Sequence, residues 1–416
     1  MDNRRGEKIT RRGFLGSAAA VAASMAASRE ALGDSVQTPP SERISFWDRQ
    51  RKGANFFNRV PAIQRFEAAS ELGLEFIRLV PDKWESTGRD FLMGTADEYQ
   101  GLVEADLAKL KATLDLAATS GNKVVLGMLS LPGARWEQRN EGRQDYRLWN
   151  SEGFQAQAVQ FWRDLATRLR GHPAIVAYNP LNEPHPERQA GIDGAEEAGF
   201  PDWLDKQRGT CGDLDRFYRN LCAAIREVDP DTPILLEGYG YGSAKGLSCL
   251  SPIADNNTLY SFHFYEPWAY TTTRVNKGRY AYPDRMPESW DGPVARWSKA
   301  NLRALLEPVE RWAAKYRIPH SRIVAAEFGC GRQSEGATEY LGDLVALLNE
   351  KGYHWAFYSY REDMWDSMDY ELGTELADPG GWALLEQGKY RVKPWRDNPL
   401  FNVLKKEFRR IPKSMP

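Results

Sequence analysis

The sequence predicts a single (β/α)8 barrel, an α/β fold, and three observations carry that expectation. An amphipathic helix, a glycine stop and a short apolar strand recur as one phrase along most of the chain. Eight strand candidates can be counted. No composition break, internal repeat or low-complexity linker divides the 416 residues. Strands that alternate with helices build parallel sheets, and eight such units in one domain suit a closed barrel better than a doubly wound sheet.

Taken in order, the strand candidates are Ala54–Phe57, Phe76–Val80, Val124–Met128, Ile175–Tyr178, Ile234–Leu236, Leu259–Phe264, Ile323–Ala326 and His354–Tyr358. Each is a short apolar run bounded by turn residues, the signature of a strand buried on both faces. Helical phrases precede several of them: Ala68–Gly73, Val103–Gly121, Ser151–Gly171, Leu214–Val228 and Tyr340–Gly352. In the second, Val103, Leu107, Leu110, Leu114 and Ala117 fall on one face, as a helix laid against a sheet requires. Glycine closing a helix supplies a left-handed cap. The stretches 132–150, 185–212 and 266–292 exceed ordinary connections and are expected to be functional loops of a catalytic domain spanning 41–416.

Composition narrows the function. The chain is 42% hydrophobic and 27% charged with a formal net charge of −2, which gives a core but no basic field for nucleic acid. Fourteen tryptophans are a high count, which either core packing or sugar-stacking platforms in a groove would explain. Cys211, Cys222, Cys249 and Cys330 lack metal-ligand spacing, and any disulfide pairing among them stays open. Residues 1–33 read as an export signal. Arg11-Arg12 precedes Phe14-Leu15 and a small-residue run, the pattern of the twin-arginine signal, and that run is too weakly apolar for an anchor. Residues 34–40 form a flexible lead-in. The expected location is therefore extracytoplasmic, with the twin-arginine export machinery as a transient partner and no membrane association after signal removal.

Polar residues gather at strand ends, where a barrel keeps its chemistry. Arg78 lies near the end of the second strand. Asn182 and Glu183 follow the fourth, in Asn-Pro-Leu-Asn-Glu-Pro-His. His263 and Tyr265 end the sixth, and Glu327 closes the seventh in Ile-Val-Ala-Ala-Glu-Phe-Gly. A carboxylate after four apolar residues is costly to bury without a partner or a purpose. Two carboxylates facing each other across a barrel mouth suit glycoside hydrolysis, one donating a proton to the leaving oxygen and the other attacking the anomeric carbon. Glu237, a third acid at a strand end, reads more readily as a structural hydrogen-bond partner. Gly238-Tyr-Gly-Tyr-Gly-Ser-Ala-Lys245 fits no phosphate-binding spacing and reads as a flexible barrel loop. The five histidines form no zinc motif, and no Gly-x-Ser-x-Gly elbow is present. Trp84, Trp136 and Trp268 divide evenly between packing and service as sugar platforms.

Together these residues resemble glycoside hydrolase family 5, the cellulase family. The likeness rests on Asn182-Glu183-Pro184, His263-x-Tyr265, Glu327 in Ala-Ala-Glu-Phe-Gly, and Arg78. It runs from about residue 53 to about residue 360. The resemblance implies a retaining hydrolase of β-linked oligosaccharides or polysaccharides that needs no cofactor or metal. Glu183 would be the acid/base and Glu327 the nucleophile, with Arg78 supporting the nucleophile. Asn182 would hold the sugar 2-hydroxyl, and His263 and Tyr265 would orient sugar and nucleophile. Two positions depart from the family pattern: Leu129 stands where a histidine is usual, and Tyr358 where a sugar-stacking tryptophan is usual. Both alter the wall around the reacting sugar. A β-mannanase, an exo-acting β-glycosidase or a sugar-binding barrel without turnover remain the alternatives to a cellulase-like enzyme.

Overall fold

The structure is a computed structural model that describes residues 41–57, 59–289, 292–362, 367–374 and 398–408. The expected export signal and lead-in lie outside the described residues. Pro40–Ile253 and Asn257–Pro416 group into one compact unit. Its centre is a closed parallel barrel of eight strands: β1 (Lys52–Phe56), β2 (Phe76–Leu79), β3 (Val124–Gly127), β4 (Ile175–Asn179), β5 (Ile234–Glu237), β6 (Thr258–Phe264), β7 (Ile323–Phe328) and β8 (His354–Phe357). Each strand pairs with its sequence neighbours, and β8 pairs with β1 to close the ring. All eight strand candidates are strands, with ends moved by at most two residues.

Among the described residues the helices of ten residues or more are α1 (Ile63–Leu72), α2 (Glu104–Thr119), α3 (Glu152–Leu169), α4 (Leu214–Val228), α5 (Lys299–Tyr316), α6 (Ala337–Lys351) and α7 (Pro399–Phe408). Glycine ends several of them as expected: Gly73 and Gly352 are left-handed caps at φ 92° and 71°. The fourth does not follow this rule, since α4 stops at Asp229. Helix α5, absent from the recurring phrases, contains Pro308 and is started by a capping box between Ser298 and Asn301.

Between β5 and β6 the barrel departs from its rhythm. Two helical turns, Tyr239–Gly242 and Ala244–Leu247, replace the usual long helix. The expected flexible loop over 238–245 is in fact tightly packed, and its glycines explain why. A Cβ on Gly238 would lie 2.2 Å from the Leu247 nitrogen, so only glycine permits the chain to fold back on itself here.

Strand residues alternate between two apolar clusters. Ile77, Leu79, Val124, Ile234, Leu236 and Phe262 face outward into the main core under the helices. Phe76, Val125, Leu235, Leu259, Val324 and Ala356 face inward and fill the lower barrel. The 3-10 turn Glu42–Trp47 closes that end: Trp47 is fully buried in the inner cluster and its indole nitrogen donates to the Val176 carbonyl at 3.1 Å. A barrel interior is thus a packed column rather than a pore, and its lower half is apolar.

The four cysteines are free thiols. Among the described residues no helix is long and apolar enough to cross a membrane.

Candidate active site

The inward face continues upward with the same two-residue period, but its residues become polar. Arg78 is two residues above Phe76, Glu237 two above Leu235, and Tyr358 two above Ala356. On β6, His263 follows the inward column in the same way. Strand β7 breaks the period: the register shifts between Phe262 and His263, which brings Glu327 opposite His263. Such an irregularity re-aims a side chain that the pleat would turn outward. Asn55 is the register partner of Arg78 and Asn179 that of Gly127.

Arg78 is the hub. It is fully buried, and its Nη1 donates to Glu327 Oε1 at 2.5 Å and to Asn55 Oδ1 at 3.2 Å. Its Nη2 donates to Glu237 Oε1 at 2.8 Å, to Asn182 Oδ1 at 2.7 Å and to Asn179 Oδ1 at 2.7 Å, while Nε reaches the same Asn179 oxygen at 2.9 Å. Every N–H direction of the planar guanidinium meets an oxygen, the use for which arginine is suited. The second Glu327 oxygen accepts from the Tyr265 hydroxyl at 2.9 Å. His263 Nδ1 lies 2.9 Å from Glu183 Oε1, and its Nε2 lies 3.3 Å from Glu237 Oε2. Carboxylate oxygens of Glu183 and Glu327 and a ring nitrogen of His263 all fall within 4.8 Å of one another. Bonds between residues 23 to 249 positions apart in sequence thus form one network.

The charges sort themselves by environment. Burial opposes the charge on His263, but Glu327 and Glu237 outweigh it and push the imidazolium up to about 10. Burial likewise opposes the charge of Glu237, yet His263 and Arg78 hold its carboxyl down at about 2. For Glu183 burial prevails. It raises the pKa, Glu327 and Glu237 add to the rise, and the bond from His263 opposes it. A carboxyl pushed upward beside ionised neighbours is the arrangement expected of a proton donor. Access differs as well: the Glu183 and Glu327 side chains are 18% and 6% exposed, whereas Glu237 is sealed at 0%.

The remaining predicted residues line the same mouth. Asn182 is buried with its Oδ1 taken by Arg78, which leaves the amide nitrogen as the end that can meet a sugar. Tyr358 packs edge-on against Phe57 at 5.4 Å and is nearly buried. Beside Glu183 opens a small cleft lined in part by Leu129, Trp136, Gln144, Trp149, Leu181 and His185. Leu129, the departure at the end of β3, lies in this lining. Trp136 keeps the position of a sugar platform, but Trp84 does not: it is 2% exposed and packs edge-on against Phe91 at 5.3 Å in the core. Trp268 is half-buried in the helical turn after β6.

Three groups escaped the sequence reading or were undervalued by it. Asn55 and Asn179 are polar residues within otherwise apolar strands, and that contrast with their neighbours was the signal available. Glu237 is the structural hydrogen-bond partner expected, but it joins more groups than a single partner: Arg78, His263 and the Glu183 backbone N–H all face it. The spacing of Glu183, His263 and Glu327 would also suit a metal, but the donor set argues otherwise. Glu327 already accepts from Arg78 and Tyr265, and a guanidinium inside the cluster opposes a second cation.

The chain is 23% identical over 340 residues to endoglucanase C of Acetivibrio thermocellus, covering 75% of this chain and 86% of that protein. It is 24% identical over 247 residues to a β-xylosidase of Phanerodontia chrysosporium; that match covers 59% of this chain but only 43% of the relative. Among solved structures, an endoglucanase of Pseudomonas stutzeri superimposes with a TM-score of 0.54 at 20% identity, over 86% of this chain and 93% of that one, a likeness of fold. The model of the cellulase family, glycosyl hydrolase family 5, matches residues 45–363, and the chain belongs to that family.

Proposed function

We propose that the protein is a retaining hydrolase of β-linked glucans, with Glu183 as acid/base and Glu327 as nucleophile. The observation that carries this reading is the approach of the two carboxylates to within 4.8 Å. Direct attack on the anomeric carbon needs a separation of roughly 5–5.5 Å, whereas an inverting enzyme keeps about 6.5–9.5 Å to admit water.

In the first step Glu183 delivers its proton to the glycosidic oxygen through Oε2, the oxygen not bound to His263. The bond from the anomeric carbon to that oxygen breaks, and a Glu327 oxygen bonds to the carbon. Arg78 and Tyr265 aim Glu327 for attack, and their donors stabilise the negative charge that returns to it as it leaves in the second step. In the second step the ionised Glu183 takes a proton from water, the water oxygen replaces Glu327 on the carbon, and two inversions leave the configuration retained. The Asn182 amide meets the 2-hydroxyl of the reacting sugar.

The endoglucanase relatives support glucan as substrate. Leu129 and Tyr358 favour a second reading, cleavage of a β-mannan or exo-cleavage of short oligosaccharides, because an apolar side chain and a smaller ring reshape the wall. Arg11-Arg12 and the run after it support export of the enzyme. A panel of glucans, mannans and xylans, with products sized and the first-formed anomer read by proton NMR, tests the reading. A first product of inverted configuration sinks the mechanism. Silence on every β-glycan leaves a sugar-binding barrel as the better account.

A further inference from the structure

We propose that Glu237 is a positioning residue for acid catalysis: its carboxylate holds the backbone of Glu183 and the ring of His263 in the one arrangement that aims the Glu183 proton at the leaving oxygen. The proposal rests on the assignment of Glu183 as acid/base.

Glu183 adopts φ 52°, in the left-handed region that residues with a side chain rarely occupy. A residue there needs its surroundings to hold it, and Glu237 provides the hold. Its Oε2 accepts the Glu183 backbone N–H at 2.7 Å. The same oxygen faces His263 Nε2 at 3.3 Å, while the other face of that imidazole meets Glu183 Oε1. One carboxylate therefore controls both the root and the tip of the Glu183 side chain. Its remaining oxygen is fixed by Arg78, and the Tyr218 hydroxyl donates to its backbone carbonyl at 2.9 Å. The loop after β5 is shaped round this group. Gly242 has φ 72°, and a Cβ there would approach Glu237 Oε2 to 3.2 Å and the His263 ring to 3.6 Å.

A neutral amide cannot take over this role. Glu237 faces three donors: Arg78 from β2, the Glu183 N–H from the loop after β4, and His263 from β6. Only a carboxylate offers acceptors on both sides. A glutamine would turn its amide hydrogens on Arg78 or on the pair of Glu183 and His263. The negative charge also balances a site that holds two cations, Arg78 and His263: with Glu183 carrying the proton it donates, Glu327 supplies one counter-charge and Glu237 the other. Because the side chain is sealed from the cleft, it acts through Glu183 and touches no substrate.

The test uses two probes of the same sugar, 2,4-dinitrophenyl β-cellobioside and phenyl β-cellobioside. Departure of dinitrophenolate needs no proton, and departure of phenolate does. For Glu237→Gln, kcat/KM on the phenyl substrate is expected to fall ~100-fold, the lower end of what general acid catalysis contributes. On the dinitrophenyl substrate it should stay within about threefold of wild type. Glu237→Asp retains the charge but falls one methylene short of the Glu183 N–H, and it should show the same selective loss. Equal losses on both substrates in both variants, or no loss on either, would overturn the proposal. Failure of the wild type to hydrolyse either probe would instead overturn the glucanase reading beneath it.

Discussion

The lower and upper halves of the barrel interior share one backbone and one alternation, yet they work in opposite ways. Below, Phe76, Val125, Leu235, Leu259 and Val324 pack against Trp47, and their burial is favourable whatever their detailed partners. Above, Arg78, Glu183, Glu237, His263 and Glu327 occupy the continuation of the same column, and each is tolerable only because of the others. Removing a side chain below leaves a cavity. Removing one above leaves an unpaired charge. The lower half holds the strands in register so that the upper half can keep charges together that would separate in water.

The largest expected effect lies at the top. Glu327→Gln should lower kcat by at least ~10⁴-fold on any substrate the wild type accepts, since nucleophile loss removes the first step. If kcat survives, the nucleophile is elsewhere.

Arg78→Met tests whether the upper charges depend on each other. It leaves Glu237 and Glu327 buried without their cation, and breaking such a cluster costs about 3–5 kcal/mol of stability. Chemical denaturation measures it; a change within error would mean that the carboxylates are satisfied without Arg78.

Leu235→Ala sharpens the contrast from below. The site lies on the same strand and face as Glu237, two residues lower. A stability loss of about 3 kcal/mol is expected from the cavity, with kcat of the folded fraction within about twofold of wild type. A much larger fall in kcat would show that the two halves are mechanically coupled.

Per unit of pH, the smallest effect separates two histidines. His354, at the lower end, is buried among Trp47, Arg51 and Arg322, and burial pushes its pKa down to about 3. His263, at the upper end, is held up at about 10 despite burial by Glu327 and Glu237. From an unfolded value near 6.5, His354 contributes stability that is full above 6.5 and declines as pH falls toward 3. His263 contributes stability that is full below 6.5 and is lost as pH rises through 10. Each limb slopes by at most about 1.4 kcal/mol per pH unit. Urea midpoints across pH for wild type and His354→Gln should show a flattened acid limb in the variant and an unchanged alkaline limb.

Much of the fold was legible because it depends on local alternation. Eight apolar runs between helices leave few topologies, and the strand ends followed from turn residues that cannot continue a ladder. The site was legible where a polar residue interrupted an apolar run at its end, as at Arg78, Glu183, His263 and Glu327. It was less legible at Asn55, Asn179 and Glu237, because a single polar residue in a strand has the same appearance whether it caps a backbone group or orders a catalytic one. The glycines after β5 look like slack in the sequence for a related reason. Their purpose lies in what they approach in space, Gly246, Leu247 and the Glu237–His263 pair, and a glycine-rich run has the same appearance whether or not it is packed.

The sequence alone determined the barrel, its strand order and the two carboxylates at its mouth, because periodicity and burial cost act on neighbours along the chain. The tertiary structure decided that those carboxylates come within 4.8 Å of each other, the slip of register that turns Glu327 inward, and the place of Glu237 beneath Glu183. Those depend on closure of the ring, which brings distant strand ends within hydrogen-bond range, and Coulomb and hydrogen-bond energies are set by that distance in space.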